Sequence, residues 1–241
     1  MDTLADVQRS VKVCSVFIAL LVLLCAGIPD VAQGVASGPV HAGDIATTRQ
    51  QAEPARVLVL GDSVFHAFTH VDSAAEIMNK SQPTLFATQG CQRLVVEGCM
   101  AFAKLSALQQ LRRYSGQFTD VVVVGTGYND RLGPEFKAAV LAITDEAKEQ
   151  GVDVLWVTYR EVRHVRGKAK VMNEQLARLD QRIEHLHIAD WNAFSSDSND
   201  WFRSDRLHLV TLGAEKLAEL LNTEIAAILA MRDAARGVNA P

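Results

Sequence analysis

The chain has 241 residues, 49% of them hydrophobic and 22% charged, with 15 glycines and 6 prolines. That composition excludes a collagen-like, low-complexity or wholly disordered chain, and the length suits one large α/β domain or at most two small ones. The net charge of -4 lacks the basic excess of a nucleic-acid binder, so no nucleic-acid partner is expected, and four cysteines are too few for a disulfide scaffold.

Residues 13–28 (VCSVFIALLVLLCAGI) form an uncharged apolar run, preceded by Arg9 and Lys12 and ended by Pro29-Asp30. The run has none of the 3.6-residue polar interleaving of a soluble helix. Its length falls between a signal-peptide core and a spanning helix. Small residues follow in VAQGVASG (31–38), so residues 1–36 read as a cleaved signal peptide or an uncleaved N-terminal anchor. Either reading exports the rest of the chain, with a membrane tether through 13–28 in the second. Residues 37–55 are small, polar and aperiodic, which marks a linker. The folded domain is expected over 56–232, and 233–241 as a flexible tail.

Within that domain, RVLVL (56–60) is a short apolar run stopped by Gly61 and reads as a buried strand. A helical stretch is predicted over Val64–Lys80, then a weaker strand over PTLFAT (83–88) and a loop with Cys91 and Cys99. Ala101–Tyr114 is amphipathic and helical in pattern. DVVVVG (120–125) is the clearest strand, continuous and β-branched. Pro134 opens a helix to Gln150, as proline suits a first helical turn. DVLWVTY (153–159) is the fourth strand, Lys168–His185 a helix, LHIAD (186–190) the fifth strand, and Leu212–Met231 a last helix with Thr211 as its N-cap.

Strand–helix alternation of this kind builds a parallel sheet covered by helices on both faces. Five strands suggest the flavodoxin-like order 2-1-3-4-5, whose ligands bind beyond the carboxyl ends of the strands where the order reverses. The expected site therefore lies just after Leu60 and just after Gly125.

Polar residues suited to chemistry stand there. Gly61-Asp62-Ser63 follows the first strand, Gly90 the second, and Gly125-Thr126-Gly127-Tyr128-Asn129-Asp130 the third; Asp205-Arg206-Leu207-His208 precedes the last helix. A serine hydroxyl becomes a useful nucleophile when a base takes its proton. His208 can be that base, with Asp205 fixing its tautomer. The backbone N–H groups of Ser63 and Gly90 and the side-chain amide of Asn129 can bind an oxyanion. His66 and Tyr128 stand near enough in sequence to line a pocket. Ordinary roles compete at each position. Ser63 can simply cap a helix, Asp62 reads as a structural hydrogen-bonder, and Asn129 can stabilise a turn. His185 and His187 lack the further ligands of a metal set. Arg112, Arg113, Arg160, Arg163 and Arg166 favour either an anionic substrate or plain solvation. The G-x-S-x-G elbow of α/β-hydrolases is absent, with Phe65 at its last position.

This constellation resembles the SGNH hydrolases, or GDSL-type esterases. Their marks are a serine in a GDS turn, a glycine, an asparagine in GxND and a histidine in DxxH. Here those fall on Ser63, Gly90, Asn129, and His208 with Asp205; the glycine is matched by position alone. The resemblance covers Arg56 to Ile228. It implies a three-layer α/β/α sandwich and acyl hydrolysis or transfer through a seryl ester, with no metal or other cofactor. GDSV (61–64), VGTGYND (124–130) and DWFRSDRLHLVTLGAEKLA (200–218) are further similar to exported SGNH domains that act on cell-envelope glycans. That implies a small ester or an acylated carbohydrate as substrate. Certain transferases of that group carry Thr-Asn-Gly where this chain has Tyr128-Asn129-Asp130, a departure toward the hydrolases. In an exported domain Cys91 and Cys99 are expected to form a disulfide.

Overall fold

The structure is a computed structural model that describes residues 54–237. The apolar run 13–28, the assigned signal or anchor and nearly all of the linker lie outside the described residues. Among the described residues no helix is long and apolar enough to cross a membrane.

Five strands form one sheet in the order β2-β1-β3-β4-β5. They are β1 (Ala55–Gly61), β2 (Thr84–Thr88), β3 (Phe118–Gly125), β4 (Asp153–Val157) and β5 (Leu186–Ala189), every neighbouring pair parallel. The helices are α1 (Asp72–Ser81), α2 (Ala107–Arg113), α3 (Pro134–Glu149), α4 (Arg166–Asp180), the single turn α5 (Trp191–Phe194) and α6 (Thr211–Ala235). Successive side chains of a strand point to opposite faces, so a sheet buried on both faces needs unbroken apolar strands. Val57, Val59, Val121 and Val123 meet Met78 of α1 and Leu217, Leu221 and Ile225 of α6 in one core. Leu58, Leu60, Val122 and Val124 meet Leu111, Phe136, Ile143 and Met172 of α2, α3 and α4 in the other. These are the two faces of a three-layer sandwich.

Several element ends differ from expectation. The stretch from Val64 is a short 3-10 turn over Phe65–Thr69 followed by α1, the chain turning at His70 and Val71. The helix predicted from Ala101 begins only at Ala107. The residues before it, just past the Cys91–Cys99 loop, are turns, and Ala103 O accepts from Gly98 N–H inside that loop at 2.9 Å. Ser106 then caps α2 reciprocally with Gln109, and this Ser-x-x-Gln signal was open to reading in the sequence. Thr211 is not a cap: it is the first residue of α6, Val210 precedes it, and no side chain caps that end. Residues 233–235, expected in the tail, are the last residues of α6.

At the amino-terminal edge of the sheet, Asp120 gathers three arginines. Arg56 Nε lies 2.7 Å, Arg236 Nη1 2.8 Å and Arg232 Nε 3.1 Å from its carboxylate, which is 1% exposed. Arg232 also pairs with Asp153, and Arg56 with Asp233. Burial pushes the Asp120 carboxyl up, but Arg56, Thr119 and Arg236 outweigh it and hold the pKa at about 2 against an ordinary 3.8. A folded-state pKa below the unfolded one adds stability above the unfolded value, and that stability is lost as pH falls from about 4 toward 2. Asp120→Ala, measured by urea denaturation at neutral pH, is expected to destabilise the fold by about 2–3 kcal/mol, since it strands partly buried cations. It should leave the opposite edge of the sheet undisturbed.

Candidate active site

Three of the marked segments meet at the carboxyl ends of β1, β2 and β3. Gly61 and Gly125 end neighbouring strands in register. The Phe65 ring sits on both, so that a Cβ at either would collide with it. This explains why a phenylalanine stands where another hydrolase type would need glycine. The chain leaves β1 through Asp62, which is fully buried. Its Oδ1 accepts from Val64 N–H at 3.1 Å, and its carbonyl accepts from His66 N–H at 2.9 Å. Burial pushes the Asp62 carboxyl up to about 7, against the N–H groups of Val64, Gly127 and Tyr128 that favour its charge. Asp62 thus ties the serine turn to the loop after β3, a structural role, and leaves Ser63 exposed at the tip.

Ser63 Oγ lies 2.9 Å from His208 Nε2, although the two are 145 residues apart. His208 Nδ1 lies 2.7 Å from Asp205 Oδ2. Asp205 Oδ1 accepts from the N–H groups of Leu207 at 2.9 Å and His208 at 3.0 Å, which closes a tight turn. Burial pushes the Asp205 carboxyl up, but these N–H groups and the His208 ring prevail and hold it at about 2. A carboxylate on Nδ1 puts the imidazole proton there. Nε2 is then free to accept from the serine hydroxyl. The arrangement can move a proton from Ser63 to His208 while Asp205 balances the charge.

The loop after β2 lies beside this group. Among the described residues, the N–H groups of Ser63 and Gly90 have no hydrogen-bond partner. Asn129 Nδ2 donates to Gln92 O at 3.1 Å, which commits one of its two hydrogens and leaves the other. Thr126 Oγ1 donates to the same carbonyl at 2.9 Å. Gln92 is fully buried, and its backbone stitches the loops after β2 and β3 together. No motif pointed to it, because its part is played by a carbonyl oxygen. Asp130 accepts from Leu94 N–H at 3.1 Å, and burial pushes its carboxyl up to about 6 against Leu94 N–H, Lys168 and Arg93. Lys168 Nζ donates to the carbonyls of Tyr128, at 2.8 Å, and Asp130.

Cys91 and Cys99 form a disulfide. Cys91 directly follows Gly90, Cys99 Sγ lies 3.9 Å from Asn129 Oδ1, and a cavity opens beside Asn129. The cavity holds about 400 Å³ beside Asn129, walled by Arg93, Val95, Val96, Phe136 and Ala139. Phe102, 62% exposed, has its ring 3.6 Å from where a Gly90 Cβ would lie. A bond closing so short a loop acts mainly on local order. Reduction is therefore expected to lower ester turnover by about tenfold, the equivalent of ~1.4 kcal/mol of barrier, with a much smaller proportional change in Tm. Parallel loss of turnover and folded protein on titration with dithiothreitol would instead show that the bond holds the whole domain.

Neither expected pocket residue lines this cavity. His66 is half-buried, with Nδ1 3.2 Å from Thr69 Oγ1 and its ring edge-on to His70; burial and then the His70 charge lower its pKa. The Tyr128 hydroxyl accepts from Arg160 N–H at 2.6 Å, and its ring packs edge-on against Tyr159. Burial raises the Tyr128 pKa. Its ring is structural, and only its position next to Asn129 relates it to the site. His187 pairs with Asp153 at 3.1 Å and His185 contacts Thr144 O at 2.9 Å, both packed and away from the serine. Arg112 pairs with Glu146 on the surface. Arg160 is the departure among the arginines, since it is 2% exposed.

No protein-family model matches the chain, and no curated protein matches it. Solved structures do. The catalytic domain of the peptidoglycan O-acetyltransferase OatA from Streptococcus pneumoniae aligns with a TM-score of 0.56 at 16% identity, over 73% of this chain and 95% of that one. A GDSL-like lipase from Bacteroides thetaiotaomicron aligns at 0.56 and 12% identity, over 71% and 88%. The psychrotrophic esterase EstA from Pseudoalteromonas sp. aligns at 0.53 and 16% identity, over 72% and 98%. At these identities the likeness is one of architecture, and the chain has the fold of the SGNH, or GDSL-type, hydrolases.

Proposed function

We propose that this chain is an exported serine esterase that hydrolyses short-chain acyl esters, acetyl esters of cell-envelope carbohydrate above all. The observation that carries the reading is the His208 ring bridging Ser63 at 2.9 Å and Asp205 at 2.7 Å. Ser63 Oγ attacks the ester carbonyl as His208 Nε2 takes its proton. Asp205 stabilises the imidazolium that results. The N–H groups of Ser63 and Gly90 and the free Asn129 hydrogen bind the oxyanion. As the tetrahedral intermediate collapses, the C–O bond to the alcohol breaks and His208 returns the proton to that alcohol. Water, with its proton taken by His208, then cleaves the seryl ester and releases the acid.

Export is supported by the disulfide, which persists in oxidising compartments, and by the apolar run over 13–28. The carbohydrate substrate is supported by the segments similar to exported envelope-acting domains. A second reading, transfer of the acyl group to a glycan hydroxyl, is favoured by the likeness to the OatA domain. The space beside Asn129 can admit a group larger than acetyl. One assay separates them: p-nitrophenyl acetate turnover by the full chain, with and without a glycan acceptor, against Ser63→Ala. Release without acceptor supports the esterase. Release that rises steeply with acceptor and yields acylated glycan supports the transferase. No release and no labelling by a serine-directed phosphonate would overturn both and leave a glycan-binding module.

A further inference from the structure

Arg160 follows β4 and is 2% exposed. No acidic side chain pairs with its guanidinium among the described residues, and Nε has no partner at all. A buried cation without a counter-ion is expensive to keep, and it persists where carbonyl dipoles and an aromatic face replace water. Those replacements all come from one segment. Nη1 donates to Arg206 O at 2.6 Å and Nη2 to Ser195 O at 3.0 Å. The guanidinium lies 3.7 Å over the centre of the Phe202 ring.

That segment ends in the Asp205–His208 turn. Arg206 stands inside the turn at φ +64, a left-handed conformation that side chains other than glycine seldom adopt. The Arg160 fork grips the carbonyl of this strained residue. The backbone N–H of Arg160 meanwhile donates to the Tyr128 hydroxyl at 2.6 Å, one residue from Asn129. One residue therefore touches both the loop that carries the amide and the turn that carries the imidazole. Neighbouring strand ends alone do not bring these together, since the turn precedes α6 and belongs to no strand.

We propose that Arg160 is a positioning residue that sets the Asp205–His208 turn against Ser63 by gripping the Arg206 carbonyl. Its effect on turnover rests on the esterase reading; its effect on the geometry of His208 does not. A guanidinium suits the task because its planar fork reaches two carbonyls at once, which a lysine ammonium or a thioether does not reproduce.

The test uses Arg160→Met, which keeps bulk over Phe202, and Arg160→Lys, which keeps the charge and guards against a failure to fold. Both should lower kcat by about 10- to 100-fold, as small misplacements of catalytic groups do, with KM changed less than about twofold. Arg160→Ala should regain turnover on addition of methylguanidinium in a saturable way. Independently of any substrate, the downfield proton signal of His208 Nδ1–H, assigned by its loss in His208→Gln, should broaden or shift in both variants. A folded variant with unchanged kcat and an unchanged signal overturns the proposal, even if its Tm has dropped. Absence of turnover in the unsubstituted chain would sink the esterase reading, and the proton signal would still decide the role of Arg160.

Discussion

Ser63→Ala is expected to lower kcat for ester hydrolysis by about 10⁴- to 10⁶-fold, the range over which loss of a nucleophile acts when it works as a unit with its base. The only described partner of the Ser63 hydroxyl is His208, and the side chain is exposed. Its removal therefore opens no cavity and strands no buried group. Tm should stay essentially unchanged, since surface substitutions of this kind shift stability by no more than about 0.5 kcal/mol. Steady-state turnover of p-nitrophenyl acetate and labelling by a serine-directed phosphonate measure the two sides of the claim. Residual turnover within tenfold of the unsubstituted chain, or labelling that persists, would place the nucleophile elsewhere.

Asp205→Asn is expected to lower kcat by about 10³- to 10⁴-fold with the turn preserved. The asparagine oxygen can still accept from the Leu207 and His208 N–H groups that now close the turn on Oδ1. The amide in place of Oδ2 donates instead of accepting, so the imidazole proton moves to Nε2. A ring protonated there donates toward Ser63 and cannot take its proton. The Asp205 carboxyl, held at about 2, is ionised throughout the range in which the enzyme would be assayed. Because its folded pKa is depressed, whatever it adds to stability is present above the unfolded value and goes only as pH falls toward 2. Loss of activity between pH 7 and pH 4 therefore cannot come from protonating this carboxylate. Asp205→Asn should lower activity across that whole span. A variant within tenfold of the parent in kcat would show that the Nδ1 bond is dispensable.

The strands were legible because burial on both faces leaves no room for a polar residue. Val121 to Val124 are fully buried in a row, and only a strand interior of a covered sheet tolerates that pattern. Helix ends were read less well. The predicted helix over 64–80 took in the turn at His70 and Val71, where nothing in the amphipathic pattern marks the break. The predicted start at Ala101 missed a capping box at Ser106–Gln109 that the sequence does spell. The residues from Ala101 up to that box form turns tied by backbone bonds to Gly98 and Met100, contacts the amphipathic pattern does not register.

The site divides in the same way. Ser63, Asn129, Asp205 and His208 could be named from the sequence because each sits in a short motif at a strand end or before the last helix, and Gly90 from its position after the second strand alone. Gln92 and Lys168 could not, since they act through carbonyls and burial, and Arg160 was legible only as one of five arginines suited to an anionic substrate or to solvation. Arg160 reads in sequence as one more surface charge, yet the fold places it under Phe202 with its fork on Arg206.

By itself the sequence determined the layer order, the edge of the sheet where the polar motifs collect and the residue types available there, because hydrophobic runs and turn glycines are local properties. Only the tertiary structure decided which charges are buried, which carbonyl receives them and how close an imidazole comes to a hydroxyl. Those depend on distances between segments far apart in the chain, and such distances are settled by packing of the two cores rather than by any stretch of residues alone.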